Sequence, residues 1–254
     1  MNLSFQMLGS SSSGNCGLLL TPQARILIDA GFSCKRIRQG LARHGVAIED
    51  IDAVFITHEH SDHCAGVAGL AKLGKPVFFA NEGTARAVNG ILARTSAPPP
   101  WRVFETGTVF KFADVDVSAF SIPHDAADPV GYTFSVGGET LVWATDLGHA
   151  PRLVREKINQ ADFLVLEANY DEQMLMDSQR PPSLKQRIRG RHGHLSNESA
   201  QEILMTTPCG RLRRVCLAHL SRECNSPERV NEALALVRPL HPECVFEIVA
   251  PDSL

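Results

Sequence analysis

Four potential metal ligands fall within six positions of this chain: His58, His60, Asp62 and His63 of the run Thr57-His58-Glu59-His60-Ser61-Asp62-His63. The run directly follows an apolar stretch with strand character, Ala53-Val54-Phe55-Ile56. In an extended segment, side chains two apart point the same way, so His58 and His60 can grip one metal. Asp62 and His63, beyond the turn, can then reach a second. A strand that ends this way concentrates ligands at one edge of a sheet. A solvated histidine-rich loop would account for any one of these residues, but not for four packed together at a strand end.

The chain has 254 residues, of which 44% are hydrophobic, ample for a substantial core. One domain spanning residues 1–254 is expected. A net charge of -3 excludes whole-protein attraction as a basis for nucleic-acid binding and leaves that role to a local patch. Seven cysteines, scattered and never spaced C-x-x-C, read as reduced thiols of a cytoplasmic protein. The start, Met1-Asn2-Leu3-Ser4-Phe5-Gln6, lacks the charged and apolar regions of a signal peptide, and no apolar run reaches membrane-spanning length. A soluble protein with no membrane partner is therefore expected.

Strands over Ser4 to Leu8 and Cys16 to Leu20 flank the polar loop Gly9-Ser10-Ser11-Ser12-Ser13-Gly14-Asn15. Such a loop suits a hairpin, and its hydroxyls and amides, Ser12 and Asn15 among them, can also meet an anion. Arg25 to Ile28 reads as a strand ending at Asp29, an acid placed to support neighbouring metal ligands. Ser33 can cap a helix to about His44, and helices are predicted over Ala65 to Leu73 and Thr84 to Ala93. Strands over Val77 to Ala80, Val109 to Phe112 and Val115 to Phe120 lead on to His124. The pair Val130 to Val136 and Thr140 to Ala144 brackets the hairpin signal Gly137-Gly138-Glu139 and ends at Asp146. Beyond a helix from Pro151 toward Asn159, the strand Phe163 to Leu166 ends at Glu167. Gln179 to Gly193 reads as a basic loop with room for one short helix. Ser196 caps a helix to about Met205, Val215 to Ala218 is a strand ending at His219, and a helix from Ser226-Pro227 through Val237 precedes a last strand over Val245 to Val249. Alternating strands and helices argue for a layered α/β architecture.

His58, His60, Asp62, His63, His124, Asp146 and His219 all sit at the ends of predicted strands. With the H-x-H-x-D-H motif intact and Asp29, His124, Asp146 and His219 following the family order, the chain resembles the metallo-β-lactamase superfamily along nearly its whole length. The resemblance implies a four-layer αββα sandwich and two divalent metal ions, Zn2+ or Mn2+. It implies one metal on His58, His60 and His124, the other on Asp62, His63 and His219, with Asp146 bridging. A bridging carboxylate resembles the hydrolases and phosphodiesterases of the superfamily more than its two-zinc lactamases, which commonly place cysteine there.

Several further stretches resemble the YycJ-type, or WalJ-type, exonucleases of this superfamily: the serine-rich first turn, His124-Asp125-Ala126-Ala127-Asp128-Pro129-Val130-Gly131-Tyr132, His192-Gly193-His194-Leu195-Ser196-Asn197 and Leu220-Ser221-Arg222-Glu223-Cys224-Asn225. The resemblance implies a dinuclear phosphodiesterase degrading DNA from a 5′ end, with hydroxide generated at the metals attacking phosphorus. Asp62 would be essential to turnover. His194 resembles the short histidine motif that assists proton transfer in tRNase Z, although a histidine at a helix entrance can equally serve packing; Glu167 stands beside it as a second catalytic candidate. Arg187, Arg189 and Arg191, with Arg180 and Lys185, form a basic segment suited to phosphate contacts or simply to solvent. A small-molecule hydrolase of a cyclic phosphate, thioester or lactone, and a metal-stabilised regulatory module, are the alternative readings.

Overall fold

Along the strand Ala53-Val54-Phe55, the outer two residues and the middle one face opposite ways, yet all three are buried. A strand apolar on both faces needs a layer on each side. That requirement recurs through the chain and sets the architecture. The structure is a computed structural model describing residues 2–93 and 96–251; Met1, Arg94, Thr95 and residues 252–254 of the expected 1–254 domain lie outside the described residues.

One sheet has six strands in the order β1 (Ser4–Ser11), β2 (Gly14–Leu20), β3 (Arg25–Ile28), β4 (Ala53–Phe55), β5 (Val77–Asn81) and β6 (Trp101–Phe104). The other has seven: β7 (Val109–Phe112), β8 (Val115–Ser121), β9 (Val130–Val136), β10 (Glu139–Ala144), β11 (Phe163–Glu167), β12 (Arg214–Ala218) and β13 (Val245–Ile248), in that spatial order. Ala53, Phe55, Phe79, Tyr132, Phe134, Trp143 and Val165 meet between the sheets. Phe55 stacks on Phe79 at 4.4 Å and meets Tyr132 and Phe134 edge-on at 5.6 and 5.3 Å, joining the two sheets. The opposite face of the first sheet, with Leu18, Leu27, Val54 and Phe78, packs on α1 (Cys34–Arg43), α3 (Val67–Ala71) and α4 (Glu82–Leu92). The outer face of the second sheet, with Val142, Leu164, Val215 and Leu217, packs on α5 (Arg152–Ile158), α8 (Asn197–Thr206) and α9 (Pro227–Leu234). These three apolar layers hold four layers of structure, the αββα sandwich.

β3 to β6 run parallel, as do β10 to β13, so their carboxyl ends gather at one edge of each sheet. Two antiparallel pairings bring the end of β8 to that same edge, and the β1–β2 turn arrives there by the same logic. Every ligand-bearing loop therefore leaves on one side. The hydroxyl of Tyr132 donates to the carbonyl of Ile56 at 2.7 Å, tying the second sheet to the start of the ligand run.

Local structure differs from expectation in a few places. The serine-rich loop shrinks to Ser12 and Ser13, because Ser11 pairs with Gly14 and Ser10 with Asn15 in a continued hairpin with an irregular register between Met7 and Gly9. Asp62 and His63 lie in a short helix, α2 (Ser61–Cys64), ahead of α3. An unexpected helix, α6 (Glu172–Asp177), is capped by the Asp171 side chain but buries only Leu175, which leaves little periodic signal to read. The basic segment carries α7 (Pro182–Ile188). Ser33, Ser196 and Ser226 accept hydrogen bonds from the backbone N–H of Arg36, Ser199 and Arg229, closing the helix starts expected at them. The last helix ends at Leu234 rather than Val237, and a separate turn of 3-10 helix follows at Arg238–Leu240. Among the described residues, no helix is long and apolar enough to cross a membrane.

Candidate metal centre

The strand ends assemble two ligand clusters. His58, His60 and His124 form one, and Asp62, His63, Asp146 and His219 the other, with ligand atoms in each within 4.8 Å of one another; Asp146, Glu167, His194 and His219 form a further group that overlaps the second. Asp146 reaches both: its Oδ2 lies 3.2 Å from His63 Nε2, while its Oδ1 lies 3.3 Å from His219 Nε2 and 3.9 Å from His124 Nε2. Asp62 Oδ2 stands 3.4 and 3.3 Å from the Nε2 atoms of His63 and His219.

A shell of acceptors fixes which nitrogen each imidazole turns inward. His63 Nδ1 donates to Asp29 Oδ2 at 2.8 Å, His219 Nδ1 to Glu167 Oε1 at 2.8 Å, and His124 Nδ1 to the Gly193 carbonyl at 3.2 Å. Each bond leaves an Nε2 lone pair for a cation, the usual arrangement behind metal-bound histidines. Asp29 is itself held by the backbone N–H and hydroxyl of Thr57. The hydroxyl of Ser10 accepts from His219 N–H at 2.8 Å and donates to Asn15 Oδ1 at 2.6 Å, while Asn15 Nδ2 faces Asp62 and His63.

Two further observations fit a divalent cation. The fully buried His58 Nε2 has no hydrogen-bond partner among the described residues, a costly state for a polar atom unless something binds there. Charge is also finely opposed. Burial, then the neighbouring His63, holds the His58 pKa well below the ordinary histidine value. Burial works against a charged His63, but Asp146, Asp29 and Asp62 outweigh it and hold its pKa well above that value. The same contest, against burial, raises His219 to about 10 through Asp146, Asp62 and Glu167. Burial opposes the charge of Asp146 too, and the imidazoles of His219 and His63 overcome it. Cations could replace these protons as partners of the carboxylates.

Backbone strain collects at the same place. Among the described residues, the non-glycine positions with positive φ are Asp29 (59°), Ala113 (51°), Asp146 (59°) and His219 (60°). Three of the four belong to the centre, each just past a strand. A left-handed backbone turns these side chains back over the strand ends at a cost of about 1 kcal/mol or more apiece.

Residues 24–220 match the family described as Beta-lactamase superfamily domain. The chain belongs to the beta-lactamase superfamily. It is similar to the exodeoxyribonuclease WalJ of Streptococcus pneumoniae, 37% identical over 226 residues that cover 88% of this chain and 84% of that protein. Similarity to the exodeoxyribonuclease YycJ of Bacillus anthracis is 32% over 237 residues, covering 93% and 89%. The metallo-beta-lactamase fold protein YhfI of Bacillus subtilis shares the fold with a TM-score of 0.72 at 14% identity, covering 98% of this chain and 96% of that one.

In this superfamily member, a cavity of about 310 Å³ opens over the clusters. His60, Asp62, His124, Asp146, His194 and His219 face it, and Ser12, Asn169, Arg180, Leu184, Arg187 and Ile188 contribute to its walls. His194 donates from Nδ1 to Glu167 Oε1 at 2.8 Å and lies against His219, ring centroids 5.3 Å apart. Burial opposes its charge, but Glu167 raises its pKa.

Four of the expected site residues stand away from this cavity. Glu167 is fully buried, one oxygen shared by His194 and His219 and the other accepting the N–H groups of Leu147 and Leu195, so it stands behind the two imidazoles and does not line the cavity. Asn15 is likewise buried behind Asp62 and His63, its Nδ2 facing both, and does not line the cavity. Arg189 turns away to pair with Glu172 at 3.0 Å and borders a different cavity. Arg191 is exposed and lines neither cavity; its carbonyl accepts from His149 Nδ1. Arg187 and Ser12 do reach the metal-side cavity. Sequence reading overlooked Thr57, Ser10 and Asn169 as supports: Asn169 Nδ2 donates to the His219 carbonyl at 2.8 Å. Their signal is only that polar residues flank ligand positions at strand ends.

Proposed function

We propose that this chain is a dinuclear metal-dependent phosphodiesterase that degrades DNA from a 5′ end. The observation that carries the reading is Asp146, whose carboxylate reaches both ligand clusters beneath one cavity. Its similarity to the two exodeoxyribonucleases along most of their length supports DNA as the substrate. His58, His60 and His124 would hold one metal, Asp62, His63 and His219 the other, and Asp146 both. Zinc suits the histidines and manganese the carboxylates.

Bound there, two divalent ions supply Lewis acidity to a phosphoryl group and activate water. The chain's own contribution is orientation and proton handling. Asp29 and Glu167 keep His63 and His219 turned toward the centre. His194, anchored at Nδ1 by Glu167, keeps Nε2 for a proton to be given to the departing 3′ oxygen, a role that contributes roughly 10²- to 10⁴-fold to rate.

Metal-loaded protein incubated with end-labelled linear DNA tests the reading. Release of short products from the 5′ end is expected with zinc or manganese and none after chelation. Intact DNA alongside rapid hydrolysis of a cyclic phosphate or a thioester would overturn the nuclease assignment and favour a small-molecule hydrolase.

A further inference from the structure

Helix α7 stands over the centre as a wall of the cavity, and its residues Leu184, Arg187 and Ile188, spaced i, i+3 and i+4, share the face turned to it. Among the described residues lining this cavity, the permanently charged cations are Arg187 and Arg180. Each guanidinium is fastened by its Nε. Arg187 Nε donates to Asp125 Oδ2 at 2.6 Å, and Arg180 Nε to Glu223 Oε2 at 2.8 Å. Arg180 Nη2 also approaches Ser221 Oγ at 3.5 Å, while both Nη groups of Arg187 and the Nη1 of Arg180 have no partner among the described residues. Fastening a guanidinium through Nε leaves its terminal N–H pairs aimed and free, the donor set that grips a phosphate.

The two anchors also fix where the guanidiniums stand. Asp125 lies 3.6 Å from His124 Nε2, which places Arg187 beside the histidine cluster. Ser221 hydrogen-bonds through its N–H to the carbonyl of Asn169, whose side chain supports His219, which places Arg180 beside the carboxylate-rich cluster. A cavity of about 310 Å³ has room for about one nucleotide between the metal ligands and this wall. A phosphate one nucleotide away from the scissile one would meet the two guanidiniums, and Leu184 and Ile188 would pack against its sugar or base.

We propose that Arg187 and Arg180 form a subsite for the terminal 5′-phosphate of a strand, so that a 5′-phosphorylated end is bound and cleaved in preference to a 5′-hydroxyl end. The subsite rests on the reading of this centre as a 5′-end nuclease, and it explains attack from an end: a dianionic terminal phosphate satisfies two guanidiniums better than an internal monoanion does.

Two measurements on the metal-loaded protein decide it. One compares kcat/KM for oligonucleotides that differ only in carrying a 5′-phosphate or a 5′-hydroxyl. The other compares equilibrium binding of a matched pair of dinucleotides whose linkage resists hydrolysis. A preference for the phosphorylated end of about 10- to 100-fold is expected in both, the size of a charge-assisted contact, and it should fall toward unity in Arg187→Gln and Arg180→Gln. DNA hydrolysis without end preference overturns the subsite and leaves the nuclease standing. Arginine-dependent preference in binding without hydrolysis keeps the subsite and overturns the nuclease. Neither hydrolysis nor preference overturns both.

Discussion

At the scale of single residues, the centre separates groups that would hold metal from a group that would move a proton. Asp62 faces the Nε2 atoms of both His63 and His219, so its removal takes one ligand from the carboxylate-rich cluster. His194 borders the cavity and hydrogen-bonds to Glu167; it shares a group with Asp146 and His219 but stands outside the two clusters that would hold the ions. Asp62→Ala is therefore expected to abolish turnover and lower metal content from two ions per chain toward one, with the far-ultraviolet circular dichroism of the wild type. His194→Ala should keep both ions and lose about 10²-fold or more in turnover. Elemental analysis of the two purified variants beside their kinetics checks the division; equal metal loss in both would contradict it.

Between elements, the tightest fit is where the turn after β3 slides under α2. A Cβ on Gly31 would lie 1.6 Å from the carbonyl oxygen of Asp62 and 2.5 Å from the backbone N of Asn15. Backbone on both sides cannot rotate away, so Gly31→Ala should cost about 1–3 kcal/mol in urea unfolding and weaken metal binding by displacing Asp62. Gly90 in α4 has open space around its missing Cβ, and Gly90→Ala should instead gain roughly 0.5–1 kcal/mol from helix propensity. A neutral Gly31→Ala would mean that α2 is not held there. This scale also shows what a sequence can disclose. Ligand positions are legible because each one follows an apolar run, and a parallel sheet delivers strand ends to one edge whatever the details of packing. The arginines are less so: Arg187, Arg189 and Arg191 look alike in sequence, yet the packing of α7 turns the first into the cavity and the second toward Glu172. Buried helpers such as Asn15 and Glu167 read as polar loop or strand-end residues until their partners, distant in sequence, are known.

Across the whole molecule, the centre is a seam between two sheets. His58, His60, Asp62 and His63 follow β4 of the six-stranded sheet, whereas His124, Asp146 and His219 follow β8, β10 and β12 of the seven-stranded one. The aromatic packing of Phe55 joins the sheets a short distance below. Bound ions would add a second joint at the rim, where His63 and His219 otherwise carry raised pKa values among carboxylates. Because an unfolded chain scatters these ligands, metal should bind the folded state far better and stabilise it by mass action, about 2.7 kcal/mol at a concentration one hundred times Kd. For a chain of this size that corresponds to a rise in Tm of roughly 5–10 °C. Thermal unfolding after exhaustive chelation, then with zinc or manganese restored, measures the shift. It should shrink in Asp146→Asn, which weakens the shared carboxylate, but persist in His194→Ala. A Tm indifferent to chelation, in protein shown by elemental analysis to have lost its metal, would mean that the ions do not join the sheets and that Phe55 and its neighbours hold the sandwich alone.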